Sequence, residues 1–181
     1  MKILIIGCEH SGTRWLSHNI VIHPDVEEII HCSVPTDGSI GLDWVIPNIE
    51  DNKYDGAVIV TRDSSCLRRS QESSPHSSFK KLVENNQFYS KDLIENWVIA
   101  GSIVMKSCKD NNVPYAMTCY ESLVQFLEQN LRKIFRQLNI NEDNYKHYQE
   151  EHTNRSLAIP WDQGTTRPID GNKKYIKDKQ P

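Results

Sequence analysis

The first residues able to do chemistry form a short loop between two glycines near the start of the chain. Residues 7–14 read Gly-Cys-Glu-His-Ser-Gly-Thr-Arg and follow a short, strand-like stretch at 2–6. A buried strand that passes through such a loop into a helix directs unpaired backbone N–H groups and the positive end of the helix dipole towards the loop. We therefore expect residues 7–14 to bind an anion.

The two glycines, Gly7 and Gly12, have the spacing of a Walker A loop, G-x-x-x-x-G-K-[ST]. Thr13 occupies the lysine position of that motif, and Arg14 occupies the position of its hydroxyl residue. A nucleoside triphosphatase with this loop would lack both its phosphate lysine and its magnesium hydroxyl. The alternative is that both glycines are turn residues in an ordinary strand-to-helix connection.

A second phosphate-binding pair is predicted from Arg62 and Ser70. Arg62 follows an apolar, β-branched run at 57–61, and Ser70 comes eight residues later. A guanidinium fork suits a phosphate dianion, and a helix that begins near Ser64 would bring Ser70 to the same side. The alternative for Arg62 is a surface arginine paired with Asp63 or with another carboxylate.

Both patterns resemble one enzyme family, the sulfotransferases. Residues 11–16, Ser-Gly-Thr-Arg-Trp-Leu, are similar to that family's S-G-T-T-W-L phosphosulfate loop. Arg62 and Ser70 resemble its 3′-phosphate site, R-[DN]-P-x-x-x-x-x-S, with Ser64 in place of the proline. The resemblance implies a P-loop-type fold and metal-independent transfer of a sulfuryl group from 3′-phosphoadenosine 5′-phosphosulfate (PAPS) to a hydroxyl or amine.

The resemblance also implies which residues bind the nucleotide. They are His10, Ser11, Gly12, Thr13, Arg14, Trp15, Arg62 and Ser70. The residue before the loop serine is usually Lys or Arg in the family, where it assists departure of the phosphate, and here it is His10. A histidinium at this position can donate a hydrogen bond to the bridging oxygen, in a manner that depends on pH near neutrality. His10 is therefore a predicted catalytic residue.

His31 is the candidate general base. We expect it to end a second strand at 26–31, and the carboxyl ends of parallel strands face the ligand crevice. Residues 31–35, His-Cys-Ser-Val-Pro, resemble the family's H-x-P-type segment, in which the histidine is the base. An acceptor must lose a proton during in-line displacement, and a histidine suits this task. The alternative is a histidine that caps a strand or is satisfied in the core.

The elements that position these residues alternate between strands and helices. Strands are predicted at 2–6, 26–31, 57–61 and 113–119, and helices at 12–22, 91–109 and 121–138. Residues 33–56 are expected to be mostly connection, with one turn of helix near 42–46, and residues 64–78 to include a mobile loop. Residues 120–123, Tyr-Glu-Ser-Leu, resemble the architectural Y-E-x-L helix of the family.

This alternation predicts an α/β protein with a three-layer, P-loop-type fold, in which helices flank a mainly parallel sheet. One domain is expected at 1–163, followed by a loosely ordered tail at 164–181. The net charge of −3 over 181 residues gives no overall attraction to nucleic acid or to an anionic membrane. The five cysteines form no C-x-x-C pair, which favours a reducing, cytoplasmic compartment.

Three other functions compete with sulfuryl transfer. The first is a P-loop nucleotide kinase or hydrolase with a degenerate Walker loop, and the second is a non-catalytic nucleotide-binding protein. The third is a metal site built from Cys8, His10, His31 and Cys32, whose spacing matches no zinc template, so that no metal is predicted. The acceptor is expected to be a small molecule or an exposed group on a larger partner.

Overall fold

The computed structural model of the chain describes residues 1–8, 11–33, 41–67, 93–144, 167–169 and 172–176. The strands are β1 (Lys2–Gly7), β2 (Glu28–Ser33), β3 (Gly56–Thr61), β4 (Tyr115–Cys119), β5 (Arg167–Ile169) and β6 (Asn172–Ile176). The helices are α1 (Thr13–Val21), α2 (Gly41–Glu50), α3 (Leu93–Asp110), α4 (Tyr120–Gln125) and α5 (Leu127–Gln137). A single 3₁₀ turn at Glu142–Asn144 follows α5.

The strands form one sheet in the order β4-β3-β1-β2-β6-β5. Strands β1 to β4 are parallel, with Gly7 of β1 in register with both Ser33 and Val60, and Val60 in register with Thr118. The carboxyl ends of these four strands therefore meet along one edge of the sheet. The predicted α/β class, with its parallel sheet, is confirmed.

Alternate residues of β1 supply the two faces of the sheet. Ile3 and Ile5 pack beneath α1 and α5, in a cluster that includes Leu16 and Phe135. Leu4 and Ile6 pack on the other face against α2 and α3, in a second cluster of apolar side chains. The residues of β1 from Ile3 to Ile6 are fully buried, as expected for a central strand covered on both sides. Helices thus cover both faces of the sheet.

The predicted helix at 121–138 is wrong in one respect, because the structure divides it at Phe126. Phe126 has the non-helical dihedral angles φ −137° and ψ 56° and ends α4. The side-chain nitrogen of Asn130 donates to the backbone oxygens of Ser122 and Phe126, at 3.0 and 2.8 Å. The same two oxygens also accept backbone N–H groups, from Phe126 at 2.8 Å and from Asn130 at 3.0 Å. The Asn130 side chain therefore links the last turn of α4 to the first turn of α5 and stabilises the break locally.

The region predicted as mostly connection also differs, since α2 occupies Gly41–Glu50 and contains Pro47. Proline inside a helix removes a hydrogen bond and is ordinarily unfavourable. Here Val45 and Ile49 are fully buried in the α2–α3 cluster, while Pro47 is exposed. Tertiary packing of the apolar face therefore outweighs the local cost of proline. The prediction of a connection gave Pro47 too much weight.

Two strands lie in the segment that was expected to be a loosely ordered tail. β5 and β6 pair with each other, and β6 pairs antiparallel with β2, with Lys173 opposite His31. This pairing completes the backbone hydrogen bonds along the outer edge of β2. Among the described residues, no helix is both long enough and apolar enough to cross a membrane.

Candidate anion-binding site

The loop between β1 and α1 is shaped by its two glycines. Ser11 N donates to Cys8 O at 3.0 Å, which closes a tight turn after β1. Gly12 follows in the left-handed region, with φ +85°, and a side chain there would collide with the Tyr120 ring, only 2.8 Å from Cε2. A Cβ on Gly7 would lie 2.9 Å from the backbone oxygen of Val60 and would overlap the Ser11 hydroxyl. Both positions therefore require glycine.

The start of α1 carries the features of an anion site. Gly12 is the N-cap residue, no side chain caps the helix, and its first turn contains no acidic residue. The first N–H groups of a helix have no intrahelical acceptor and carry partial positive charge. Ser11 is fully buried, and its hydroxyl has no hydrogen-bond partner among the residues that the structure describes. Donors without acceptors thus converge at this helix end.

Thr13, the first residue of α1, is joined to β2 through its side chain. Its Oγ1 lies 2.5 Å from Nε2 of His31, and Thr13 is almost fully buried. β2 continues to Ser33, so the prediction that His31 ends the strand is wrong, and His31 is in register with Ile5 rather than with the strand end. His31 therefore lies beneath the loop, with its Nε2 hydrogen-bonded to Thr13.

Arg62 directly follows β3, as predicted. Its guanidinium carbon lies 4.5 Å from the centre of the Tyr120 ring, and its Nε is 3.8 Å from Oε1 of Glu121. The prediction named a carboxylate partner as the alternative for this arginine, and that carboxylate is Glu121 rather than Asp63. The Arg62 side chain is 20% exposed, which leaves part of it open at the carboxyl edge of the sheet.

Tyr120 connects the loop to Arg62, a role that sequence reasoning missed. Its ring packs against Gly12 on one side, meets Trp15 edge-on at 6.0 Å and 71°, and carries Arg62 over its face. Residues 120–123 had been given an architectural role only. The signal that identifies Tyr120 is its position, because it immediately follows β4 and so stands at the same edge as the loop.

Asp63 begins the helical turn at 64–67, which confirms the predicted helix start near Ser64. Its Oδ1 accepts hydrogen bonds from the backbone N–H groups of Ser65 and Cys66, at 3.0 and 2.9 Å, and from the Ser65 hydroxyl. The Ser65 hydroxyl, followed by Cys66, lowers the pKa of Asp63 to about 2. Asp63 thus caps this helical turn, and Arg62 instead contacts Tyr120 and Glu121.

The structure brings together five of the predicted nucleotide-binding residues. Ser11, Gly12, Thr13 and Trp15 share the loop and the first turn of α1, and Arg62 joins them through Tyr120. Arg14 lies in the same turn and is partly exposed. The predicted residues His10 and Ser70, and the predicted mobile loop beyond residue 67, lie outside the described residues.

Of the four residues considered as a metal site, the three that the structure describes do not converge. Cys8 and Cys32 are buried in the α2–α3 cluster. His31 is adjacent to Cys32 in β2, so its side chain points to the opposite face, where it meets Thr13. His10 is not among the described residues. Within the part of the chain that the structure covers, no group of three or more His, Cys, Asp or Glu side chains could hold a metal ion.

A concavity, which we call the amino-edge groove, lies at the opposite edge of the sheet. It has a volume of about 450 Å³ and is lined by residues at or near the starts of the strands, namely Lys2, Glu28, Ile30, Asn48, Asn52, Lys53, Tyr54 and Asp55. The backbone N–H of Lys2 donates to Asp55 Oδ2 at 2.7 Å, and Lys53 forms an ion pair with Asp51 at 3.1 Å. Asp55 and Lys53 therefore already have partners within the chain.

Comparisons with known proteins identify no relative from which a function could be transferred. No protein-family model matches the chain, and no curated protein or solved structure matches it.

Proposed function

We propose that this protein is a sulfotransferase with a P-loop-type fold that binds PAPS at the carboxyl edge of its parallel sheet. The observation that carries the proposal is the buried Ser11 hydroxyl, which has no partner among the described residues and lies beside left-handed Gly12 at the start of α1. A buried hydroxyl without a partner costs free energy, so a position of this kind calls for a ligand acceptor.

The placement of Arg62 supports a ligand with two separate anionic groups. It follows β3, the strand next to β1, and Tyr120 and Glu121 hold it beside the loop. In the proposal, the loop and the first turn of α1 bind the 5′-phosphosulfate, while Arg62, with Ser70, binds the 3′-phosphate. A guanidinium fork matches the geometry of a phosphate better than an ammonium group does.

The proposed reaction is an in-line displacement at sulfur. An acceptor oxygen or nitrogen forms the new bond to sulfur as the bond between sulfur and the bridging oxygen breaks, and 3′,5′-adenosine bisphosphate leaves. His10 would donate to the bridging oxygen, and the acceptor proton would pass to a base. In the proposal, the N–H groups at the start of α1 would face the developing negative charge and lower the barrier without reorganisation.

The general-base role of His31 stays a prediction, and it would require a change in the hydrogen bonding of the imidazole. Nε2 of His31 is hydrogen-bonded to Thr13, and Nδ1 is buried. An acceptor can therefore use this histidine as base only if the bond to Thr13 is exchanged for one to the acceptor. Apo geometry often tightens or changes in the reacting complex, so such an exchange is compatible with the role.

Calorimetric titration with 3′,5′-adenosine bisphosphate tests the proposal. We expect micromolar or tighter binding, and we expect Arg62→Ala to weaken it more than about tenfold, or about 1.4 kcal/mol. Arg132→Ala is the matched control, because Arg132 is also a partly exposed arginine, paired with Glu128 on α5. Unchanged affinity in Arg62→Ala, or no binding by the wild type, would overturn the proposal, and ATP with magnesium would then be tested.

A non-catalytic nucleotide-binding protein is the second candidate, favoured by His10 in the place of the usual lysine or arginine. Both candidates bind the bisphosphate, so turnover separates them. Incubation with PAPS and a panel of hydroxyl and amine acceptors should release 3′,5′-adenosine bisphosphate if the protein is an enzyme. Tight binding with no release, in the wild type and in His10→Lys, would establish the binding protein instead.

A further inference from the structure

The hydrogen bond between Thr13 and His31 couples the anion-binding loop to an ionisable group. The two heavy atoms, Thr13 Oγ1 and His31 Nε2, are 2.5 Å apart. A neutral imidazole can form this bond in either direction, depending on which nitrogen carries the proton. If Nε2 accepts, the Thr13 hydroxyl points its hydrogen inward and offers only lone pairs to a ligand. An imidazolium has N–H groups at both nitrogens, so Nε2 must then donate.

Protonation of His31 therefore fixes the direction of the Thr13 hydroxyl. When Nε2 donates to Oγ1, the hydrogen of Thr13 is released and can be donated to a ligand. Thr13 is the first residue of α1, directly after Gly12, so this donor stands beside the N–H groups at the start of the helix. The positive charge on the imidazolium also lies only two hydrogen bonds away from an anion held by Thr13.

The described elements packed most closely against β2 are β1, α1 and β6. Their charged and titratable residues include no carboxylate: they are Lys2 on β1, Arg14 and His18 on α1, and Lys173, Lys174 and Tyr175 on β6. On β2 itself, Glu28 begins the strand three residues before His31, and Cys32 points to the opposite face. A bound anion would therefore add a negative charge that β1, α1 and β6 do not supply.

We propose that His31 is a positioning residue whose protonated form turns the Thr13 hydroxyl towards the ligand, so that the site binds its anion more tightly as the pH falls through the range in which histidines titrate. The inference rests on the proposed function, because it concerns the same anion site. Linkage makes the effect reciprocal, and a bound anion must favour protonation of His31 to the same extent. His31 then regulates nucleotide binding through Thr13, without contacting the nucleotide. This role belongs to the imidazolium, whereas the predicted general-base role requires the neutral imidazole with its bond to Thr13 exchanged for one to the acceptor.

The experiment measures the affinity for adenosine 5′-phosphosulfate, whose phosphosulfate group does not titrate near neutrality. We expect wild-type affinity to rise about tenfold between about pH 8 and about pH 5.5, because one imidazole gains a proton over this range. His31→Gln should make the affinity independent of pH. His18→Gln is the matched control, because His18 is also a histidine but lies on α1. This variant should keep the wild-type pH dependence.

Variants of Thr13 test the same coupling from the other side of the hydrogen bond. Thr13→Ser keeps the hydroxyl and should keep the pH dependence, whereas Thr13→Val should bind several-fold more weakly and show no pH dependence. This pair decides the question even if His31→Gln fails to fold. His10→Gln separates the two histidines near the loop, and it should lower affinity while leaving the rise in affinity at low pH in place.

Each result has a definite meaning. A pH dependence that disappears in His10→Gln but persists in His31→Gln would overturn the proposal and assign the proton to the loop. Wild-type binding that does not change with pH would overturn it while leaving the proposed function intact. Absence of binding to both adenosine 5′-phosphosulfate and 3′,5′-adenosine bisphosphate at every pH would overturn the proposed function and the role of His31 together.

Discussion

The two edges of the parallel sheet are built in opposite ways. The amino-edge groove has an open volume of about 450 Å³, but Asp55 accepts the backbone N–H of Lys2, and Lys53 is paired with Asp51. Its one buried hydroxyl, on Tyr54, has its pKa raised by burial and by the nearby Cys32 and Glu28. At the carboxyl edge, Gly7 lets the Ser11 side chain pack closely, and Gly12 does the same for the Tyr120 ring. The hydroxyl of buried Ser11 has no partner among the described residues.

On the proposed function, unsatisfied hydrogen-bonding capacity identifies the ligand site, and the open volume of the amino-edge groove does not. In that groove, Asp55 and Lys53 already have partners within the chain. At the carboxyl edge, a bound anion would give the helix end and the Ser11 hydroxyl interactions that the described residues do not supply. In doubly wound sheets, ligands bind at this edge, where connections from the central strand leave in opposite directions.

The largest effect that would sharpen the comparison is expected for Gly12→Ala. An alanine there would adopt a left-handed conformation and collide with the Tyr120 ring, so we expect a loss of about 2–3 kcal/mol in the free energy of unfolding and no nucleotide binding. Gly56→Ala at the amino edge is the control. Its Cβ would lie 3.0 Å from the movable end of Leu138, so we expect a loss of about 1 kcal/mol or less. Equal losses in urea unfolding would contradict the argument.

Ser11→Ala should separate stability from function. Removing a buried hydroxyl that lacks a partner should raise the free energy of unfolding by about 1 kcal/mol, because its desolvation cost disappears. Affinity for 3′,5′-adenosine bisphosphate or adenosine 5′-phosphosulfate should fall about tenfold at the same time. Ser17→Ala is the control, since Ser17 is equally buried but donates to Thr13 O at 2.8 Å, and it should leave affinity unchanged. A variant that loses stability and keeps its affinity would show that Ser11 is structural.

Glu121→Gln should strengthen nucleotide binding. Glu121 holds a negative charge 3.8 Å from Nε of Arg62, where it would compete with a phosphate, and the amide of glutamine keeps the acceptor for Asp63 N. We expect affinity for 3′,5′-adenosine bisphosphate to rise about three- to tenfold at low salt, and less at high salt because the pair is partly exposed. Glu128→Gln, which disturbs a similar pair on α5, should have no effect. Weaker binding in Glu121→Gln would mean that this carboxylate orients Arg62 for the ligand.

Much of the fold could be predicted because short apolar runs and helical periodicity are local signals. The predicted strand at 2–6 and the predicted helix at 12–22 agree with β1 and α1 to within one or two residues. The errors arose where tertiary contacts decide the outcome. The burial of Val45 and Ile49 maintains α2 through Pro47, and the Asn130 side chain stabilises the break at Phe126.

The site was predictable only in part, for a similar reason. Ser11, Gly12 and Thr13 are consecutive, so their spacing alone predicts a loop at a helix start. Tyr120 joins that loop to Arg62 across three strands, and no sequence spacing connects residues so far apart in the chain. The bond from His31 to Thr13 likewise depends on the register of β2 against β1, which the sequence does not specify.

The smallest expected effect concerns Asp63 and the acid limit of stability. Hydrogen bonds from Ser65 and Cys66 lower its pKa from an ordinary value of 3.8 to about 2. A carboxyl with a lowered pKa stabilises the fold above its unfolded pKa, and that contribution is lost as the pH falls through its folded value. Asp63 should therefore contribute fully above about pH 4 and progressively less towards about pH 2.

Asp63→Asn tests this assignment, because the amide keeps an oxygen that accepts from Ser65 and Cys66 but cannot titrate. In urea unfolding from about pH 5 to about pH 2, we expect the variant to lose less stability than the wild type does. Ser65→Ala removes the largest cause of the lowered pKa and should likewise reduce the stability that is lost between about pH 4 and about pH 2. Parallel curves for the wild type and Asp63→Asn would mean that the cap is not formed in solution, and that Arg62 is free to exchange Glu121 for Asp63.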